Sequence, residues 1–314
     1  MAAVLGQNSA SEDEEARKVL KPVITPDRAE EILQELWGVA AGKLRQLESY
    51  DDVNFAVTAE GGVKKYTLKV HNGVESLNAP LLHAQNAIMA HLSARGVVCP
   101  TPVAATGARA DAIAERSLPT RAGGTTPLAV RLLTWVDGIP MSDAADMDES
   151  TLSAAGAFCG TMSAALASFD HPATHREHAW DLRLTPAIRK FVPYIGDTRR
   201  RDLVNTVLDA FQTEVQPCDS WLPRAVIHGD FNDANIILRP GSATDTPQVA
   251  GVIDFGDCVH TWRINELAIA MAYSMLSSWG KKEGNHLAAC GALLRGFVAS
   301  SSSQLDPREV RALC

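Results

Sequence analysis

The chain has 314 residues, 46% of them apolar, which is length for two units of about 150 residues and apolar content for a core in each. That composition excludes a disordered or collagen-like chain. With 29 Lys and Arg against 37 Asp and Glu, the net charge of −8 leaves no basic field for nucleic acid or anionic lipid, so neither is an expected partner and an anionic ligand must be held locally.

Residues 1–24 are small, polar and charged without a period and read as a disordered tail. Their acidity also differs from the basic flank of a secretory or mitochondrial leader, so a cytoplasmic protein is expected. Thr25 and Pro26 offer an N-cap and a proline at the first helical position, ahead of an amphipathic helix through DRAEEILQELWG. From Lys43 the period shifts toward two: KLRQLESY, NFAVTAE and KKYTLKV read as three strands of an antiparallel meander, the last two joined at Gly61-Gly62. Pro80 opens a helix through LLHAQNAIMAHLSA, with Leu81, Ala84, Ile88 and Leu92 at near-helical spacing and Gly96 at its exit. Further strands are expected in VVCPTPVAATG, AIAERSL and LAVRLLTW.

Beyond Trp135 the character changes. Helical periodicity in TLSAAGAFCGTMSAALASF, TPAIRKFVPYI and DTRRRDLVNTVLDAFQTEV makes this half mainly helical. One β-rich insertion interrupts it, where residues 236–238 and 249–253 read as a hairpin across a Gly/Ser/Thr/Pro turn. The tail after the Ser-rich run shows no clear closing helix. The expected organisation is α+β: a tail over 1–24, a small antiparallel-sheet N-terminal nucleotide-binding lobe over 25–135, and a mainly helical catalytic and substrate lobe over 136–314. The six cysteines, Cys314 among them, form no C-x-x-C pair and read as reduced thiols.

His228-Gly229-Asp230 followed by Asn235 has the H-x-D-x-x-x-x-N spacing of a kinase catalytic loop, and Asp254-Phe255-Gly256 lies one hairpin downstream. Phosphoryl transfer needs a carboxylate that holds the attacking hydroxyl and accepts its proton, a role Asp230 fits. Asn235 and Asp254 supply hard oxygen ligands of the kind Mg²⁺ prefers, and a hairpin brings its two ends together. Lys69 ends the strand YTLKV, the context in which a strand lysine reaches nucleotide phosphates, although a solvated edge charge is the other reading. No G-x-x-x-x-G-K-S/T is present, which excludes P-loop chemistry. No GxGxxG is present either, so the turn from Ser49 to Phe55 would cover the phosphates with backbone N–H groups and Ser49 or Asn54. Asp51 and Asp52 would repel phosphate there if turned inward. Composition and spacing reach as far as a small-molecule phosphotransferase.

HGD in place of HRD, with a D-F-G after it, resembles the aminoglycoside phosphotransferase family, which implies a bilobal protein-kinase-like fold. The strings LESYDDVNFAV, YTLKV, AQNAIM, VRLLTWVDGIP, HGDFNDANIIL and GVIDFGD resemble those members that phosphorylate the side-chain hydroxyl of 5-hydroxylysine. This implies GTP as donor, with ATP the alternative, in the cytosol, as a step of lysine catabolism. The resemblance runs from about residue 27 to the end. It implies Asp230 as base, Asn235 and Asp254 as Mg²⁺ ligands, Lys69 as the phosphate lysine, and Leu133 to Trp135 as the hinge around the nucleotide base. On the acceptor side it points to Asp257, Asp233 and Trp180, with a helix start, a loop turn and a core position as their respective structural alternatives. Arg183 or Arg263 is offered for a substrate carboxylate. Chains of this family run on through further helices beyond the point matching Cys314, so a shortened acceptor wall is expected. His83 stands where the helix after Lys69 should carry a Glu, so Lys69 is expected to be held less firmly or to pair with Glu75. The His175 to His178 segment has no companion for zinc and reads as a solvated turn, and Tyr273 reads as core. A kinase for another amino alcohol or an aminoglycoside, and a catalytically silent nucleotide-binding protein, stand as rival readings.

Overall fold

Thr25 caps a helix as the sequence predicts: its side chain accepts the Arg28 N–H, Pro26 takes the first helical position, and Gly38 closes the C-terminus in the left-handed region at φ 62°. In this computed structural model the described residues are 10–106, 112–144, 147–239, 248–278, 285–300 and 305–313. Residues 1–9 of the expected tail, the turn at 240–247, the Ser-rich run at 301–304 and Cys314 lie outside them. Two units result, residues 1–90 with 100–135 and residues 91–99 with 136–314.

The first unit carries a six-stranded antiparallel sheet of β1 (Ala41–Leu47), β2 (Val53–Ala59), β3 (Lys65–Val70), β4 (Pro102–Val103), β5 (Ala114–Pro119) and β6 (Thr125–Thr134). The order is β1-β2-β3-β6-β4, with β5 also paired to β6. Four helices accompany it, α1 (Ala10–Val19), α2 (Pro26–Trp37), α3 (Gly73–Ser76) and α4 (Ala79–Ser93). On β2, Val53, Phe55 and Val57 are buried while the residues between them are not, the period of two that one packed face imposes. Against that face α2 packs Ala29, Ile32, Leu33, Leu36 and Trp37, in one core with Leu68, Leu128 and Leu132.

The expected disordered tail is corrected over its described part. α1 is helical, Pro22 pairs with Thr120 as a β-bridge, and Ile24 is buried. The segment lacks an apolar period because charge pairing holds it: Arg17 lies 2.8 Å from Asp51 and 3.0 Å from Glu75. Those partners are too distant in sequence for a local window to find.

The second unit contains α5 (Glu149–Leu166), α6 (Thr198–Ala210), α7 (Ile264–Ser278), α8 (His286–Ala299) and α9 (Pro307–Arg311). Its strands are β7 (Ile139–Pro140), β8 (Arg224–Ile227), β9 (Ile236–Leu238), β10 (Val249–Val252) and β11 (Val259–Trp262). β9 and β10 form the expected hairpin, with Ile236 opposite Val252. The β8–β11 ladder is an addition, Val259 facing Ile227 and Trp262 facing Arg224. The stretch TPAIRKFVPYI does not form the expected helix of α type but falls in a run of 3₁₀ turns over Leu182–Tyr194, since Pro186 and Pro193 lack the N–H an α ladder needs. α9, absent from the sequence reading, is started by a capping box between Asp306 and Glu309. Among the described residues no helix is long and apolar enough to cross a membrane.

α5 and α8 meet backbone to backbone. A Cβ on Gly156 would stand 1.9 Å from the Leu293 carbonyl oxygen, and one on Gly296 1.8 Å from that of Ser153. Gly156→Ala or Gly296→Ala is therefore expected to cost about 3 kcal/mol of unfolding free energy by overpacking. Urea denaturation checks this, with Gly196→Ala, which meets nothing within 4 Å, as a control expected to stay within about 0.5 kcal/mol.

Candidate active site

The loop after β8 takes its shape from the residues of the HGD string. Gly229 sits at φ +83°, and a Cβ there would lie 2.6 Å from the Asp257 carbonyl oxygen, so glycine is required twice over. The buried His228 ring accepts the Asp230 N–H at Nδ1 (3.2 Å) and donates from Nε2 to the Ile253 carbonyl (2.9 Å), which fixes the Nε2–H tautomer. The His228 backbone N–H goes to Glu266 Oε2 on α7 at 2.5 Å, a fully buried carboxyl that burial pushes up. Sequence reasoning missed Glu266, which stands inside an apolar helix with no motif around it.

Asp230 accepts from Asn232 Nδ2 on one carboxylate oxygen and from Asn235 Nδ2 on the other, each at 2.9 Å, and the Tyr273 hydroxyl also bonds it. Tyr273 is thus a site neighbour rather than a core residue. Burial, aided by the charges of Asp257 and Asp254 and opposed by Asn232 and Tyr273, pushes the Asp230 carboxyl up to about 6. A group poised there can exchange a proton near neutral pH.

The Asn235 amide nitrogen is committed to Asp230, which leaves its oxygen as the ligand end. Asp254 has φ 63°, the only positive-φ non-glycine among the described residues, a conformation that costs energy and clusters at functional sites. The Ile253 N–H donates to the Asn235 carbonyl at 2.9 Å, tying the two ends of the hairpin. Two hard oxygen donors from one hairpin fit a divalent cation of the Mg²⁺ type.

Asp257 lies 3.2 Å from His178. Burial raises its carboxyl, but the His178 hydrogen bond and charge, with Arg176, outweigh this and hold it below the usual range. Arg176 also donates to the Gly256 and Cys258 carbonyls, fixing the peptides on either side. Asp233 is half-buried and its carbonyl accepts the Ser142 N–H. Trp180 is 74% exposed, so the core alternative for it falls. The two arginines offered for a substrate carboxylate are already engaged, Arg183 on buried Asp181 and Arg263 on buried Glu309. His175 is not a solitary turn residue: its ring stacks on His260 at 4.0 Å, with Asp170 2.6 Å from Nε2. One ligand atom from each of Asp170, His175 and His260 lies within 4.8 Å of the others, a companion set that the sequence did not reveal.

In the first unit, Lys69 faces Asn54 on β2 and Arg131 on β6 in register. Its Nζ pairs with Asp52 at 3.1 Å and its charge also helps to lower the Glu75 carboxyl, while His83 is exposed. Asp52 is thus a carboxylate partner of Lys69 beyond the Glu75 that the sequence offered. Asp52 is buried and accepts both the Asn72 N–H (2.8 Å) and Nδ2 (3.0 Å). Burial opposes its charge, but Lys69, His71 and Asn72 hold its carboxyl well below the usual range. Buried Arg131 donates to His71 Nε2, Asn86 Oδ1 and Gln85 Oε1 at 2.9, 2.9 and 2.7 Å. A guanidinium only donates, so His71 presents its proton at Nδ1 to Glu75. Asp52, His71 and Glu75 together resemble a ligand trio, yet Lys69 and Arg17 already supply the cations there.

Among the other nucleotide candidates, Ser49 donates its hydroxyl to the Asp52 carbonyl, and the buried Asn54 Oδ1 has no partner in the protein. Leu133 is buried in β6, and the Trp135 N–H is committed to the Lys65 carbonyl at 3.2 Å. Asp52, His71 and Arg131 were the functional-site neighbours least visible in sequence. The i, i+2 spacing of Lys69 and His71 on one strand face was the available signal.

Residues 43–312 match the family described as "Phosphotransferase enzyme family", and the chain belongs to that family. It is a small-molecule kinase, a phosphotransferase acting on a hydroxyl group. In particular it is similar to hydroxylysine kinase of Mus musculus, 30% identical over 290 residues, which are 88% of this chain and 75% of that protein. Its fold is that of amicoumacin kinase hAmiN in complex with AMP-PNP, Ca²⁺ and Ami, at TM-score 0.64 and 17% identity over 94% of this chain and 81% of that one. The GDP and kanamycin complex of APH(2")-IIia aligns at TM-score 0.60 and 16% identity over 90% and 84%.

A carboxyl whose folded pKa is raised contributes stability at low pH that is lost as pH rises through the folded value of about 6. Replacing Asp230 by Asn removes that loss. The unfolding free energy of Asp230→Asn relative to the native chain is expected to move in the variant's favour by about 1–2 kcal/mol between about pH 4 and 7, discounted for partial exposure. Urea titrations at both pH values check it, and a pH-independent difference would place Asp230 in the ordinary carboxylate range.

Proposed function

We propose that the chain transfers the γ-phosphoryl group of GTP to the side-chain hydroxyl of 5-hydroxy-L-lysine. The observation that carries the reading is the Asp230 carboxylate, raised to about 6 and gripped on both oxygens by Asn232 and Asn235. Asp230 accepts a hydrogen bond from the acceptor hydroxyl and takes its proton as the new O–P bond forms and the bond to the β-phosphate oxygen breaks, releasing GDP. Asn235 and Asp254 hold Mg²⁺, whose charge offsets that of the triphosphate when bound. Lys69, aimed by Asp52, binds the phosphates, Ser49 in the β1–β2 turn and Asn54 at the start of β2 cover them, and Leu133 to Trp135 flank the base.

On the acceptor side, ionised Asp257 with Asp233 attracts the ammonium groups of an amino-acid substrate, and the exposed Trp180 indole walls its aliphatic chain. The 25–135 lobe is then the nucleotide lobe and 136–314 the catalytic and substrate lobe. Support for the acceptor comes from the 30% identity to hydroxylysine kinase; support for GTP comes from the motif strings. A cytoplasmic setting suits the reduced cysteines.

A phosphate-transfer assay with GTP and ATP in parallel over hydroxylysine, ethanolamine, choline and homoserine tests this. The highest kcat/KM is expected for hydroxylysine with GTP, in a reaction that chelation of divalent cations stops. Equal or better turnover of another acceptor overturns the substrate assignment. Asp230→Asn is expected to lower kcat by about 10²- to 10⁴-fold, and unchanged single-turnover transfer would remove Asp230 from the base role.

A further inference from the structure

We infer that α1 and the residues just after it form a latch on the β1–β2 turn, with Arg17 and Lys21 as positioning residues that set the turn's shape for donor phosphates. This rests on the proposed role of the Ser49–Phe55 turn in covering those phosphates. Both residues precede position 43, where the family match begins.

Three contacts converge on the turn. Lys21 Nζ donates to the Ser49 and Tyr50 carbonyls at 2.5 and 2.8 Å. Arg17 Nη1 bridges Asp51 Oδ2 at 2.8 Å and Glu75 Oε1 at 3.0 Å. Lys18 Nζ stands 5.9 Å from the centre of the Tyr50 ring. Behind them, the Leu20 carbonyl accepts the Gly73 N–H at 3.1 Å, and a Cβ on Gly73 would come 2.8 Å from Leu20 Cβ, so the segment is seated tightly on α3.

The consequence for the turn follows from peptide geometry. In a trans peptide the C=O and the next N–H point in opposite directions. Drawing the carbonyls of Ser49 and Tyr50 to the Lys21 ammonium therefore turns the N–H groups of Tyr50 and Asp51 to the opposite face. Two successive N–H groups on one side of a turn are the elements of an anion nest. The same segment answers the acidity of the turn: Arg17 takes Asp51 into an ion pair, as Lys69 takes Asp52. A turn with two aspartates thereby presents amides rather than carboxylates.

A turn that samples its competent shape about one tenth of the time raises an apparent dissociation constant about tenfold. In the full chain, Lys21→Gln and the double variant Arg17→Gln/Lys21→Gln are expected to raise the KM and Kd for GTP about fivefold to tenfold. Their kcat should change less than about twofold. Hydrogen exchange at the amides of the turn should quicken in both variants, and GTP should restore its protection. Arg17→Lys, which keeps the charge on a shorter and differently shaped side chain, should fall between native and Arg17→Gln. Lys21→Gln breaks no ion pair, so it remains folded if the double variant does not. Unchanged GTP affinity and exchange in Lys21→Gln overturn the latch, as does a loss confined to kcat. Lys69→Ala separates the two readings: if it leaves GTP affinity intact, the nucleotide role of this unit fails. If it weakens GTP while the Arg17 and Lys21 variants bind normally, the latch alone is overturned.

Discussion

Arg131 sits in the interior of the first unit with its Nε, Nη1 and Nη2 on three neutral acceptors, and the polar groups around Lys69 are arranged by the need to balance that charge. His71 passes the interaction on, taking the guanidinium at one nitrogen and offering the other to Glu75. Three cations, Arg131, Lys69 and Arg17, meet three anions, Asp51, Asp52 and Glu75, so the cluster is neutral as a whole. Removing one member of such a buried set costs about 3–5 kcal/mol because its partner is left uncompensated. Lys69 is consequently held between strands by packed and bonded neighbours rather than by a single flexible pair.

The second unit solves a related problem differently. Its loops are irregular, and buried or half-buried side chains take up the backbone groups that a strand or helix would have satisfied. Glu266 receives the His228 N–H, His228 reaches the Ile253 carbonyl, and Arg176 spans the carbonyls of Gly256 and Cys258. Within that frame the structure tolerates two unfavourable features, a carboxyl raised by burial at Asp230 and a left-handed backbone at Asp254. Features that lower stability and persist at a site of chemistry are the expected mark of function.

Much of this was legible in the sequence where the signal is local. The Thr25-Pro26 start, the meander and the β9–β10 hairpin are set by caps, turn glycines and a period of two. Asp230, Asn235 and Asp254, the residues proposed for the chemistry, stood out because their spacing carries a mechanism. Lys69's partner was not: helical spacing led to His83, whereas the carboxylate comes from Asp52, at the mouth of the neighbouring strand, where two adjacent aspartates read as phosphate repellents. Apolar spacing in TPAIRKFVPYI suggested an α-helix that Pro186 and Pro193 forbid. β8 and β11 are four residues each, too short to register before their pairing is known.

Helix α2 lies wholly ahead of residue 43, where the family match begins, yet it supplies Ile32, Leu33 and Trp37 to the same interior as Phe55 and Leu68. A fragment cut to the family's limits would keep the HGD and DFG strings and bare one apolar side of the β-sheet. Such a surface recruits other chains, and the trimmed protein would be lost to aggregation with its chemistry still encoded.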